Sequence, residues 1–305
     1  MNIESLITQL IVLFSIAFLG YGAAKLNFLP KETNKVLSAV VINVSNPCSV
    51  LTSVMSGTRV ITNGEVFTLL GVAIALHLLL IALAPLLTKI LHIPEDSKNI
   101  FHFMTVFGNY SYMGFPVITA LFGVEALFLA AIFVLVFQIF CYTYGVSLFG
   151  QGKFQIKSLC SPMIICTLIA FAIYMLKLRV PDMVLNITKT VSGITSPAAM
   201  LALGFALAAV PLKWVFTQFR TMIFALLRLT VIPAVVFLLC SPWMKNELML
   251  GVTVALSAMP VATNTTLMAA RYNGNESQAA CGVFLSTLMS VVIMPLMLGL
   301  LFGLF

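Results

Sequence analysis

Long apolar runs separated by short polar punctuation repeat along the whole chain. Reading between the charged loops yields ten of them, at residues 5–25, 33–56, 64–90, 98–121, 124–149, 158–177, 183–209, 214–240, 246–270 and 276–304. A helix rises about 1.5 Å per residue, so roughly 20 apolar residues cross the hydrocarbon of a bilayer. The pattern predicts an all-α polytopic membrane protein with ten transmembrane helices. It leaves no room for a soluble domain, and residues 1–305 read as one membrane unit.

Two of the runs carry helix-breaking residues near their middle. The fourth contains Gly108, Asn109 and Pro116, and the ninth contains Pro260 and Asn264. Proline lacks an amide hydrogen and clashes with the preceding turn, and glycine weakens a helix, so both runs are expected to unwind near the bilayer centre. Unpaired backbone groups cost several kcal/mol each in hydrocarbon, so the unwound stretches must face protein or a watery cavity. A broken helix in each half of the chain is where secondary transporters place their substrate.

The halves also share prolines. The second run contains Val44-Ser-Asn-Pro-Cys-Ser-Val-Leu51 and the seventh Ile194-Thr-Ser-Pro-Ala-Ala-Met-Leu201, placing Pro47 and Pro197 150 residues apart; Pro85 and Pro233 lie 148 apart. Two matches at nearly the same offset indicate a duplicated unit of five helices, residues 1–150 and 151–305. Five is odd, so the second copy enters the membrane from the opposite side and the repeat is inverted. Proline is frequent in membrane helices, and Pro47 and Pro197 also read as ordinary kinks.

Composition agrees with the pattern: 61% of residues are hydrophobic, 8% are charged and the mean hydropathy is +1.11. The stretch from Met1 to Leu29 has no basic start and carries Glu4, so it reads as a first spanning helix rather than a signal peptide. A net charge of +7 does not point to nucleic acid, because the basic residues sit singly in loops and report topology. With the N-terminus outside, the inner loops carry Lys25, Lys31, Lys35, Lys89, Lys98, Lys153, Lys157, Lys213, Arg220 and Arg271. The outer ones carry Arg59, Lys177, Arg179 and Lys245, so the positive-inside rule puts both termini outside the cytoplasmic membrane. Cys48, Cys141, Cys160, Cys166, Cys240 and Cys281 lie in or beside apolar runs without metal-ligand spacing, so neither a disulfide, a metal nor a cofactor is expected.

Around the two interruptions stand Asn109, Tyr110, Ser111 and Tyr112 in one half and Thr263, Asn264, Thr265 and Thr266 in the other. Half-helices that restart there present free amides and a positive dipole end, which suits a carboxylate. All nine acidic residues fall in loops or at helix ends, so no intramembrane carboxylate is present to ligate sodium or carry a proton. Arg228 stands near the middle of the eighth run and needs a partner: it either attracts an anionic substrate or holds backbone carbonyls. His77 and His102 read best as interhelical hydrogen-bonding groups, with a proton role open.

The residues resemble the auxin efflux carrier family, over the whole length and closest to its bacterial carriers of malate- or malonate-like acids. The resemblance rests on Gly108-Asn-Tyr-Ser-Tyr-Met-Gly-Phe-Pro116, the Arg228 to Pro233 spacing, and the run from Ala258-Met-Pro260 through Ala270-Arg-Tyr-Asn273 to Gly282 and Pro295. It implies a bile-acid-symporter-like and NhaA-like elevator fold, a scaffold of segments 1, 2, 6 and 7, and a transport domain of segments 3 to 5 and 8 to 10. Segments 4 and 9 would cross as broken helices beside the substrate, and the scaffolds would form a homodimer. Asn109 takes the place of the asparagine that approaches the substrate carboxylate, and Pro260 marks the other crossing. The chain departs from the plant carriers at Gly108, where they have proline, and at Val261 and Val50, where they have glutamine and serine. Those changes remove polar contacts to an indole acid, so auxin is not the expected substrate. The stretch from Gly150 to Lys157 is too short for the long cytosolic loop of the plant proteins.

The resulting expectation is a lipid-embedded carrier of a small organic anion, with no nucleic acid partner. The substrate would lie among Gly108, Asn109, Tyr110, Ser111, Pro260, Thr263, Asn264 and Thr265, with Asn46, Ser49 and Ser196 opposite and Arg228 as a further contact. A sodium-coupled symporter of the bile acid carrier type is the alternative, and a passive channel stays open. A membrane enzyme would need paired acids, a zinc motif or a nucleophile with its base, and the chain has no such grouping.

Overall fold

The computed structural model describes residues 3–30, 32–55, 60–149, 161–208, 215–272 and 274–303. Lys31, Arg59, Lys153, Lys157, Cys160, Lys213 and Asn273, and the loop 150–157, lie outside the described residues. Helices carry the chain throughout: α1 (Ile3–Lys25), α2 (Thr33–Met55), α3 (Asn63–Ile90), α4 (Glu95–Val106), α5 (Tyr110–Phe122), α6 (Val124–Gly145), α7 (Pro162–Leu176), α8 (Asp182–Ala208), α9 (Phe219–Cys240), α10 (Glu247–Ser257), α11 (Asn264–Arg271) and α12 (Glu276–Leu301). No strand occurs among the described residues, only an isolated antiparallel bridge between Gly108 and Val261. Six of these helices (α2, α3, α6, α8, α9 and α12) are long and apolar enough to cross a membrane; Ile11–Lys25, Tyr110–Phe122, Pro162–Leu176 and Glu247–Ser257 are shorter apolar helices. Phe18, Leu86, Leu238 and Leu300 stand exposed on the outer surface, as lipid-facing side chains do. The protein is a multi-pass membrane protein.

The prolines act where the backbone tolerates them. In α2 a π-helical turn at Val41–Ser45 precedes Pro47, and in α8 a turn at residues 193–194 precedes Pro197, so each proline stands near the start of a fresh helical stretch. Pro85 and Pro233 lie inside α3 and α9.

Polar groups tie helix ends together at two opposite faces. At one face Thr62 and Glu65 form a capping box at the start of α3, and Asn246, which caps α10, donates to Glu65 at 2.9 Å. Tyr174 of α7 joins this face by exchanging hydrogen bonds with the backbone of Ile61. At the other face Arg220 donates to the His92 carbonyl at 2.7 Å, Asn275 to Ser97 at 3.1 Å, and Gln278 to Thr221. α3 therefore runs from the Glu65 face to the His92 face, α4, α9 and α12 start at the latter, and α10 starts at the former.

Two groups of helices pack around one core. α1, α2, α7 and α8 pack on one another, while α3, α4, α6, α9, α10 and α12 surround the interrupted segments. α10 is buried on all sides from Gly251 to Ser257, and α6 over most of its middle. The tightest approach is between α1 and α8, where a Cβ on Gly204 would strike the Ala17 carbonyl oxygen and one on Gly20 the Leu201 carbonyl oxygen. Association in lipid depends on close backbone packing through such small residues. Gly204→Val is expected to destabilise the protein by about 1–3 kcal/mol or more, as overpacking does, whereas Gly22→Val, with open space around it, leaves stability nearly unchanged. Thermal unfolding of the two variants in detergent measures the difference.

Candidate substrate site at the helix crossing

The two interrupted segments meet head to head. α4 enters from the His92 face and stops at Val106, and α10 enters from the Glu65 face and stops at Ser257. Between them the extended strips pair antiparallel: Asn109 N donates to Pro260 O at 2.8 Å and Ala262 N to Phe107 O at 3.0 Å. Val261 N, left over by the helix break, donates to Ser286 Oγ of α12 at 3.0 Å. The backbone groups released at the breaks thus bond largely to one another and to a buried serine rather than to a watery cavity. α5 and α11 then restart on the far side, so two helix C-termini and two N-termini converge here.

Gly108 is required by the packing. A Cβ there would lie 2.5 Å from the Tyr110 ring and 2.9 Å from Arg228 Nη2. Arg228, 1% exposed, reaches across from α9 and donates through Nη1 to the carbonyls of Met104, at 2.8 Å, and Thr105, in the last turn of α4. Of the two readings of this arginine, the structure displays the one that holds backbone carbonyls. Its Nε has no partner. Tyr110 points its ring at His77, Phe133 and Phe137, and its hydroxyl is unpartnered. His77 bonds within α3, with Nδ1 2.7 Å from Ala73 O, whereas His102 makes an interhelical contact, Nε2 to Thr88 Oγ1 at 3.2 Å.

A cavity of about 860 Å³ opens beside the crossing, between α2 and α8 on one side and α11 and α12 on the other. Of the residues singled out in the sequence, Tyr112, Thr263, Asn264 and Thr266 line it, and Asn109, Tyr110 and Ser111 do not. Pro260 and Thr265 are buried behind Thr263 and Asn264, Thr265 donating to Ala262 O at 2.7 Å. Asn109 is 3% exposed, and its amide nitrogen has no hydrogen-bond partner. Asn46 donates to the Ser111 carbonyl at 3.4 Å, which links α2 to the crossing. Ser49 is engaged between α2 and α8, donating to Ser45 O at 2.9 Å and lying 2.8 Å from Thr195 Oγ1, while Ser196 is half-buried beside it.

The cavity wall also contains Asn34 and Ser38 of α2, and Glu276 and Ser277 of α12. Asn34, Ser38 and Ile42 are spaced by four, one stripe of a helix, and that periodicity was the available signal for them. Tyr112 approaches Ser38 across the gap. Glu276 is the charged lining residue among those described. Its contact with the cavity depends on how α12 sits against α2, which no local pattern encodes. Ser286→Ala should cost about 1–3 kcal/mol of stability, because the buried Val261 amide then has no acceptor. Thermal unfolding together with hydrogen exchange at Val261 would register the loss.

Comparison with known proteins agrees with this architecture. The family described as membrane transport protein matches the chain twice, over residues 5–156 and 148–298. An uncharacterized transporter of Methanocaldococcus jannaschii is 25% identical over 300 residues, covering 94% of this chain and 96% of that protein. These matches point to a transporter and not an enzyme, and the chain belongs to the membrane transport protein family of auxin efflux carriers.

Proposed function

We propose that the protein is a secondary carrier of a small organic anion, a mono- or dicarboxylate such as malate, acting in the cytoplasmic membrane. The observation that carries this reading is the crossing itself, an antiparallel junction of two broken segments with a cavity of about 860 Å³ at its side. The cavity lies between the two helix groups, where relative motion would open it first to one side and then to the other. That division supports an elevator in which α1, α2, α7 and α8 form the scaffold and the crossing travels with the remaining helices. The double family match and the paired prolines support ten spans in two inverted repeats, 1–150 and 151–305, and the distribution of Lys and Arg between the loops supports both termini outside. By the same resemblance, two scaffolds form a homodimer.

The substrate carboxylate would be held by Thr263, Asn264 and Thr266 at the positive end of α11, and by Asn109, which is buried outside the cavity lining with its amide donors unused and would be uncovered as the cavity opens. Asn34, Ser38 and Tyr112 would supply further hydrogen bonds from across the cavity. An inside-negative potential drives each net negative charge outward by roughly 2.3 kcal/mol per 100 mV, so export needs no coupling ion. Sodium coupling is disfavoured because the acidic residues of the chain lie in loops or at helix ends.

Uptake of labelled malate into proteoliposomes, with potential, sodium and pH gradients varied separately, tests the reading. The expected outcome is saturable flux that follows potential, ignores sodium and is lost in Asn109→Ala, while that variant keeps its fold. Flux of no carboxylate under any gradient would overturn it, and normal affinity in Asn109→Ala would move the site elsewhere.

A further inference from the structure

The end of α4 poses an electrostatic problem that a membrane makes acute. Its last carbonyls have no helical partner, and the helix dipole leaves about half a negative charge there, in a buried and water-poor region. In carriers built from discontinuous helices, such C-terminal ends and unwound carbonyls are where a coupling cation is coordinated. In this chain the place is taken. Arg228 Nη1 donates to the carbonyls of Met104 and Thr105, and Nη2 packs against Gly108 at the crossing.

The charge of Arg228 has no acidic counter-ion: the salt bridge found among the described residues is Lys98 with Glu95, at the His92 face. The counter-charge is therefore the α4 terminus itself. Arginine stays protonated in proteins, so this cation is permanent. Beside it stand Tyr110 and His77, packed edge to face, whose hydroxyl and Nε2 atoms are likewise unpartnered. The guanidinium is thus held by one nitrogen on two carbonyls and by its charge, rather than by a saturated hydrogen-bond network.

We infer that Arg228 is a tethered cation standing in the position that a coupling cation would occupy, and that it keeps the crossing assembled without sodium. The inference rests on the proposed carrier function only in treating the crossing as part of the transport machinery. Arg228 acts through the backbone of α4, so it is a positioning residue and not a substrate ligand. Removing its charge should turn a cation-indifferent protein into a cation-requiring one. A mere cap would behave differently, because a glutamine still donates hydrogen bonds to carbonyls.

The test compares wild type, Arg228→Lys and Arg228→Gln in detergent, by thermal unfolding in sodium, guanidinium or choline chloride at matched ionic strength. Wild type and Arg228→Lys should give the same Tm in sodium and choline, and in guanidinium only the common lowering that a denaturant causes, against which Arg228→Gln is read. Arg228→Gln should melt lower in choline and regain several degrees in guanidinium or sodium, rising with the logarithm of cation concentration as a bound ligand requires. Arg228→Gln that folds and ignores cations would overturn the inference, as would wild type stabilised by sodium. Arg228→Gln that folds only in guanidinium would support it, and one that folds in no cation would count against it, since an empty cation site refills. The readout needs no substrate, so failure to transport malate sinks the proposed function and leaves this result standing. If malate flux is found, it should be sodium-independent in wild type and become cation-dependent in Arg228→Gln.

Discussion

Two backbone hydrogen bonds, Asn109 N to Pro260 O and Ala262 N to Phe107 O, allow the rest of the molecule to exist in a membrane. A helix can be broken in hydrocarbon only if the released amides and carbonyls find partners. Each broken segment here supplies the partner of the other, in a bridge too short to be a sheet. The geometry demands that the segments enter from opposite faces, which the alternating direction of α4 and α10 provides. It also demands side-chain-free space at Gly108 and a hydroxyl at Ser286 for the remaining amide.

Charge is handled with the same economy. The α4 terminus is met by Arg228, brought from α9. The positive ends of α5 and α11 have no acidic residue among the described residues in their first turns. Negative charge on a substrate would therefore be the favourable complement to those ends, while Glu276 stands exposed at the start of α12 on the cavity wall. A carboxylate at that position repels an approaching anion and would favour seating it deeper, towards Thr263 and Asn264. The rest of the wall is uncharged, with hydroxyls and amides of α2, α5 and α11 set among apolar side chains such as Leu203, Leu207 and Phe284.

The long apolar runs with short loops were legible without coordinates because a bilayer imposes one length and one polarity on every spanning helix. The breaks were legible too, since glycine and proline act on their own backbone: helix stops before Phe107 and before residue 258, close to Gly108 and Pro260. Of the polar residues on the cavity wall, Tyr112, Thr263, Asn264 and Thr266 belong to the clusters visible beside the two breaks, whereas Asn34, Ser38, Glu276 and Ser277 do not. The role of Arg228 could not, because its carbonyl partners lie 124 and 123 residues away in sequence.

What the chain determined by itself was local: which segments are apolar enough for lipid, where the backbone cannot stay helical, and which polar groups cluster there. The tertiary structure decided every matter of pairing. It joined Gly108 to Val261, gave Val261 N the hydroxyl of Ser286, turned Tyr110 towards His77 while Tyr112 lines the cavity, and engaged Ser49 with Thr195. The physical reason is that lipid solvates all apolar helix faces alike. The choice of neighbours therefore falls to close small-residue packing and to the few hydrogen bonds that must be satisfied, and both are properties of two surfaces rather than of one segment.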